Sequence, residues 1–386
     1  MKKIVHLVLC GVVTDGWTYQ DNMIPKYHRQ LGYEVTIITS QWIYGTNGKL
    51  TKDDRTQYIN EHGVKVRRLP LIGRDSFEKK WKRYRGLAQA LEDEAPDVLF
   101  IHGVSFGDFG VVCNYLRSHT VKKVYVDNHM DASNSGKNWF SRNILHRIIW
   151  KCSAQMLNKY TDKFYGVLPA RVTWLTEMYG LPKNKCELLV MGADDDVVQS
   201  CLNSNARQEI REKHGIADEE FLIVTGGKID EWKTQTLLLM KAVRNINNKK
   251  IRLIVFGSVA ESLWDKVNEL TDGDLVQYIG WVSGADSYSY WAAADLVVFP
   301  GRHSVFWEQV VGMGVPMVCK YWVGTDHVDL GGNVEFLRGD STGEIQQTIL
   351  SIYNSKAHYQ NMKQIAEAKG IEYFSYKNIA RKSIED

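Results

Sequence analysis

Apolar residues in this chain gather in short runs that recur along almost its whole length. Between the runs lie stretches whose apolar positions fall three and four apart. The run at 4–9, which encloses His6, is followed by a glycine-bearing turn, a helical pattern over 22–31 and a second run at 34–39. The same rhythm continues at 64–69, 98–101, 124–126, 163–167 and 186–190. Runs without polar alternation suit strands buried on both faces, and the helical stretches between them can carry the chain across to a parallel neighbour. After residue 200 the order restarts: a helical pattern at 205–214 precedes runs at 221–225, 251–256, 276–279, 295–299 and 316–319. The pattern predicts an α/β protein of two doubly wound, Rossmann-like parallel-sheet domains, 1–195 and 196–365. The remaining residues, 366–386, read as a helical tail packing back on the first domain.

In open sheets of this type ligands lie outside the carboxyl ends of the strands, and two such domains in succession are expected to face one another across a cleft. The loop after 296–299 joins a buried run to a helix whose free N–H groups favour an anion. Glu308, about one turn into that helix, would repel a bare phosphate but accept hydrogen bonds from sugar hydroxyls. Together they suit a ligand carrying both, such as a nucleotide; a plain βα unit with a solvent-facing glutamate fits the loop alone equally well. The run at 221–225 ends in Gly226, Gly227 and Lys228, with Lys233 just before the next helical pattern. Two glycines allow close backbone approach, and two lysines can neutralise a diphosphate that a divalent metal would otherwise balance. This is not the P-loop spacing, and no GxGxxG follows the first run, which disfavours P-loop NTPases and dinucleotide dehydrogenases.

In the first domain the run at 124–126 leads into Asp127, His129 and Asp131. Two carboxylates around one histidine, with no second histidine near in sequence, do not make a metal site, so none is predicted. His102, after the 98–101 run, reads as structural or as lying at the cleft rim.

Composition narrows the picture. A chain of 386 residues, 44% hydrophobic, can bury the cores of two domains. A net charge of +3 is too small to argue for nucleic acid by itself, and no nucleic-acid partner is expected. The six cysteines are scattered without CxxC pairs and read as buried, reduced thiols of a cytoplasmic protein. The first apolar run, about seven residues long, is too short for a signal peptide, and no window reaches the roughly 18 apolar residues of a membrane span. Two basic and aromatic stretches, 77–85 and 137–151, suit either an amphipathic face on an anionic bilayer or a solvated helix face.

Gly226, Gly227, Lys228, Lys233, the Gly-Trp-Val segment 280–282, the run 292–300, Glu308 and the Gly-Val-Pro of 314–316 together resemble the carboxyl-terminal half of the family 4 retaining glycosyltransferases. Gly192 and Asp194 are similar to that family's GxD element, and the Gly11–Gly16 turn to its first glycine loop, so the resemblance spans nearly the whole chain. It implies the GT-B fold, with acceptor on the first domain and sugar nucleotide on the second. It further implies that Lys228 and Lys233 hold the diphosphate beside Gly226 and Gly227. Trp281 and Val282 would meet the base, Glu308 the ribose, and His129 the donor sugar. Gly11, Asp15, Gly16, Asp127 and Asp131 fall on the acceptor side. One departure stands out: the family has a second glutamate ahead of this one, and here none precedes Glu308. Arg302, His303 and the amides of Ser304 and Val305 are the candidates to replace it. The resemblance implies a retaining, metal-independent enzyme without cofactor. It would move a sugar from a nucleotide diphosphate, UDP by preference, to a glycan or polyprenyl-linked acceptor for surface polysaccharide, in the cytoplasm at the inner face of the membrane. The alternatives are a nucleotide-sugar 2-epimerase of the same fold and a non-catalytic sugar-nucleotide-binding subunit of a transferase complex.

Overall fold

Two open sheets organise the chain, one in each of two units: Met1–Val190 with Ile379–Asp386, and Met191–Asn378. The computed structural model describes residues 2–45, 49–73 and 81–385. The limits fall at 190/191 and 378/379 rather than at the 195/196 and 365/366 read from the sequence. The reason is a backbone pairing inside the second unit: Ala193 N–H donates to Phe374 C=O at 2.8 Å, and Tyr376 N–H to Ala193 C=O at 3.2 Å.

The first unit contains β1 (Lys3–Val8), β2 (Glu34–Ser40), β3 (Trp42–Tyr44), β4 (Leu50–Lys52), β5 (Gln57–Ile59), β6 (Lys65–Leu69), β7 (Val98–His102), β8 (Lys123–Asn128), β9 (Lys163–Gly166) and β10 (Cys186–Leu188). Its sheet runs β10-β9-β8-β7-β1-β2-β6-β5. All pairs are parallel except the edge strand β5, which runs antiparallel to β6; β3 and β4 form a separate antiparallel pair. These three short strands are absent from the sequence pattern, because they are only three residues long and none of their residues is fully buried, leaving no apolar run to see. The central strands are as expected: Ile4, Val5, Leu7 and Val8 are fully buried, as a sheet covered on both faces requires.

Register decides which side chains meet. In the parallel ladders His6 pairs with Phe100, and Asp127 with His102. Side chains two apart along a strand share a face, so His6, Phe100, His102 and Asp127 lie on one side of the sheet. The helix Gln20–Gln30 covers that side and carries Asp21 and His28, seven residues apart and therefore on one helix face.

The second unit contains β11 (Phe221–Gly226), β12 (Ile251–Phe256), β13 (Val276–Tyr278), β14 (Leu296–Phe299), β15 (Met317–Lys320) and β16 (Val334–Leu337), in the order β13-β12-β11-β14-β15-β16, all parallel. The order reverses between β11 and β14. Chain leaving these two strands at their carboxyl ends diverges in opposite directions, which opens a crevice at that point of the sheet. Helices from Thr342 to Lys382 follow, and residues 379–386 group with the first unit, where Tyr125 Oη donates to Ile384 C=O at 3.2 Å.

All six cysteines are free, but Cys152 is exposed, against the expectation that all are buried; it lies on the outer side of the helix Lys151–Asn158. Among the described residues no helix is long and apolar enough to cross a membrane.

Candidate functional site

In the second unit the loops after β11 and β14 flank the reversal of strand order, and they bring three cations together. Lys228 is exposed and pairs with Asp230 Oδ2 at 3.3 Å. Lys233 sits just before the helix Gln235–Ile246 and is half-buried. Burial lowers the Lys233 pKa, and the neighbouring charges of Lys228 and Arg302 lower it further against the opposing pull of Asp230. Arg302, from the loop after β14, also places its guanidinium 5.7 Å from the exposed ring of Trp232. Two lysines and an arginine gathered at the start of a helix are suited to a polyanion.

Glycine is required beneath these charges. Gly257 has φ of +132°, and a Cβ there would fall 1.8 Å from Gly227 C=O; a Cβ on Gly226 would fall 2.4 Å from the Phe256 ring. The backbone of 226–228 is thus held flat against the end of β12. Trp281 is largely exposed and Val282 half-buried, in the loop after β13.

Glu308 is not the open acceptor that its position in the helix Phe306–Gly312 suggests. It is fully buried, and its Oε1 accepts from His303 Nε2 at 2.8 Å and from His327 Nε2 at 2.9 Å. Burial pushes its pKa up, but the two imidazoles outweigh burial and hold it down to about 2. Its Oε2 is buried without a hydrogen-bond partner, as is His327 Nδ1. His303, Glu308 and His327 bring three donor atoms within 4.8 Å of one another. One carboxylate oxygen taking both Nε2–H groups closes them into a hydrogen-bonded triad. His303 therefore lies beside Glu308, while Ser304 and Val305 are half-buried at the start of the helix. That helix spans only seven residues, so the charge at this point comes mainly from side chains.

In the first unit the corresponding position holds Asp21, His102, Asp127 and His129. His102 Nδ1 lies 2.8 Å from Asp127 Oδ2 and 3.1 Å from Asp21 Oδ1. His129 Nε2 reaches the same Asp127 Oδ2 at 3.2 Å. Burial opposes charge on His102, yet the two carboxylates raise its pKa to about 10; burial likewise opposes charge on Asp127, but His102 and His129 hold it well below the usual carboxylate range. Two carboxylates thus face one buried imidazole, and their charge favours its protonated form.

The other acceptor-side residues are dispersed. Asp15 accepts from Arg55 Nη2 at 2.9 Å and from Tyr58 Oη at 3.1 Å, and Gly16 N–H donates to Glu61 Oε1 at 2.6 Å. Gly11 does reach the cluster, since a Cβ there would lie 3.4 Å from Asp21 Oδ2. Asp131 pins its own loop, accepting from Ser133 N–H at 2.7 Å and Arg171 Nε at 3.3 Å. Asp21 and His327 were not visible as site residues in the sequence. Position was the available signal: Asp21 lies in the chain that leaves β1, and His327 in the chain that leaves β15, the neighbour of β14.

Two doubly wound sheets in one chain, the second with a cluster of cations where its strand order reverses, are the architecture of the GT-B class of enzymes. Two family profiles give the assignment: Glycosyltransferase Family 4 matches residues 23–197, and Glycosyl transferases group 1 matches residues 220–355. The chain belongs to these glycosyltransferases. A glycosyltransferase from Rickettsia africae ESF-5 shares the fold with a TM-score of 0.70 at 15% identity, over 99% of this chain and 96% of that one. HepE of Anabaena, solved with UDP and glucose, does so with a TM-score of 0.66 at 15% identity, over 99% and 98%. A putative UDP-N-acetylglucosamine 2-epimerase from Listeria monocytogenes gives 0.64 at 15% identity, over 99% and 95%. No curated protein matches the sequence.

Proposed function

We propose that this glycosyltransferase takes its sugar from a nucleoside diphosphate donor, UDP by preference, and transfers it with retention and without a metal to a glycan or polyprenyl-linked acceptor of surface polysaccharide. The cluster of Lys228, Lys233 and Arg302 where the second sheet reverses its strand order carries this reading. Leaving-group departure develops negative charge on the diphosphate, and pre-placed cations stabilise that charge without reorganising. The shared fold of HepE, whose complex holds UDP, supports UDP as the nucleoside diphosphate. The first unit is read as the acceptor part, with His129 on a sugar hydroxyl.

The test is nucleoside diphosphate release from a panel of UDP-, GDP-, ADP- and dTDP-sugars, with and without chelator. Release from one UDP-sugar that survives chelation supports the reading; chelator-sensitive release removes metal independence. Conversion of the donor to its epimer without release would favour the epimerase reading that the Listeria neighbour motivates.

A membrane contact belongs to the same proposal. Trp139, Phe140 and Ile148 are exposed beside exposed Lys137, Arg142 and Arg147, mixing apolar and basic groups as an anionic interface requires. Of the other basic stretch, residues 77–80 lie outside the described residues. Co-sedimentation with anionic vesicles, lost in Trp139→Ser/Phe140→Ser, checks this contact.

A further inference from the structure

Beneath His129 a continuous line of hydrogen bonds crosses the first unit. Asp127 Oδ2 faces His102 Nδ1 at 2.8 Å, His102 Nε2 faces His6 Nδ1 at 2.9 Å, and His6 Nε2 faces His28 Nδ1 at 3.0 Å. His28 Nε2 then lies 2.9 Å from Ala380 C=O and 3.1 Å from Ser383 Oγ. All three imidazoles are buried, and Ser383 already donates its own proton to Ala380 C=O at 2.8 Å.

Proton count fixes the state of this line. Each end is an acceptor, a carboxylate at one and a backbone carbonyl at the other, and the four hydrogen bonds between them need four protons. Three neutral imidazoles carry only three. Because Ala380 C=O cannot donate, His28 must bear its proton on Nε2 and accept at Nδ1. His6 must then donate from Nε2 and accept at Nδ1, and His102 must donate from Nε2. The fourth proton lies between His102 Nδ1 and Asp127, where Asp21 adds a second carboxylate that favours the imidazolium.

We propose that His28, His6 and His102 are positioning residues: anchored on the tail carbonyl of Ala380, they fix one positive charge under Asp127, which in turn fixes His129 for its substrate hydroxyl. Asp127, held ionised, accepts the Nε2 proton of His129, so the ring has one orientation and Nδ1 is the nitrogen presented to the sugar. The direction of each shift agrees. Burial, reinforced by the neighbouring imidazoles, keeps His6 well below its ordinary value, and burial lowers His28 to about 4, while His102 rises to about 10. The other titratable groups around the line include Cys10, whose thiol feels Asp127, Lys82, which donates to Cys10 C=O, and Tyr33, whose ring lies edge-on 6.2 Å from that of His28. The role of His129 rests on the transferase reading above; the state of the line does not.

The experiment uses the full chain labelled with 15N-histidine. At about pH 8.5, two units above the ordinary histidine value, long-range 1H–15N spectra should show His102 doubly protonated and His6 and His28 as Nε2–H tautomers. His28→Leu removes the link to the carbonyl, so that two neutral rings satisfy the remaining two bonds and His102 loses its structural need for the extra proton. His28→Gln can accept from His6 and donate to Ala380. We expect kcat to fall roughly ten- to a hundredfold in His28→Leu, with the donor KM little changed, and to recover in His28→Gln. A neutral His102, or a His6 tautomer reversed, overturns the proposal. Correct tautomers with unchanged kcat in a folded His28→Leu overturn its catalytic part alone. Absence of nucleotide release in the wild type would instead fail the transferase reading, while the spectra still decide the relay.

Discussion

Glu308 offers the clearest test of how the second unit is built. Glu308→Leu replaces the carboxylate by an apolar side chain of similar size and strands the Nε2–H groups of His303 and His327, which now donate to it at 2.8 and 2.9 Å. Hydrogen bonds to a charged group contribute about 1.5–3 kcal/mol each, and removing one partner of a buried charged cluster costs about 3–5 kcal/mol. A second route gives a similar size. The folded pKa of about 2 against an ordinary 4.5 corresponds to about 3 kcal/mol. The folded value is the lower one, so this stabilisation is present above pH 4.5 and is lost as pH falls towards about 2. Glu308→Gln keeps an oxygen for the two histidines but loses the charge and places an amide where Oε2 has no partner, so an intermediate cost of about 1–2 kcal/mol is expected. Denaturant unfolding at pH 7 and at about pH 3, inside the window where the stabilisation is being lost, read on the transition of the second unit, measures all three proteins. A leucine variant within about 1 kcal/mol of wild type at pH 7, or one whose acid dependence is unchanged, would show that the triad does not hold the loop.

Three further outcomes follow from the geometry. Lys228→Ala and Lys233→Ala should each lower donor turnover by about a hundredfold in a nucleoside diphosphate release assay, and normal turnover in both would contradict the diphosphate assignment. Gly257→Ala forces a Cβ against Gly227 C=O at a positive φ and should destabilise the second unit by about 2–5 kcal/mol in thermal or denaturant melts; an unchanged midpoint would mean that the loop is free to move. His28 is disfavoured as a cation in the folded state, with a pKa of about 4. Protonation therefore favours unfolding, and about 3 kcal/mol of stability present above pH 6.5 should be lost as pH falls through 4. Unfolding free energies across that range should flatten in His28→Gln, and an equal slope in both proteins would refute the buried, neutral His28.

The strands were legible because each central one is buried on both faces and so must be apolar throughout. Lys228 and Lys233 were legible because glycine and charge fall together at a strand end. Glu308 was found, but its surroundings were not: His327 lies 19 residues further on, and nothing in that spacing marks a partner. His6 lies inside an apolar run and reads as one polar interruption. Only the register of β1 against β7 and the helix laid over them turn it into the middle of a line joining His102 and His28.

By itself, then, the sequence determined two doubly wound sheets and a basic, glycine-lined loop suited to a diphosphate. Those features depend on local periodicity and on residue types adjacent in the chain. Tertiary structure decided that Arg302 joins the two lysines, that Glu308 is sealed by two histidines, and that three buried imidazoles end on a carbonyl near the carboxyl terminus. Strand order brings distant loops to one edge, and the protonation of a buried ring depends on whichever donor or acceptor the fold sets against it.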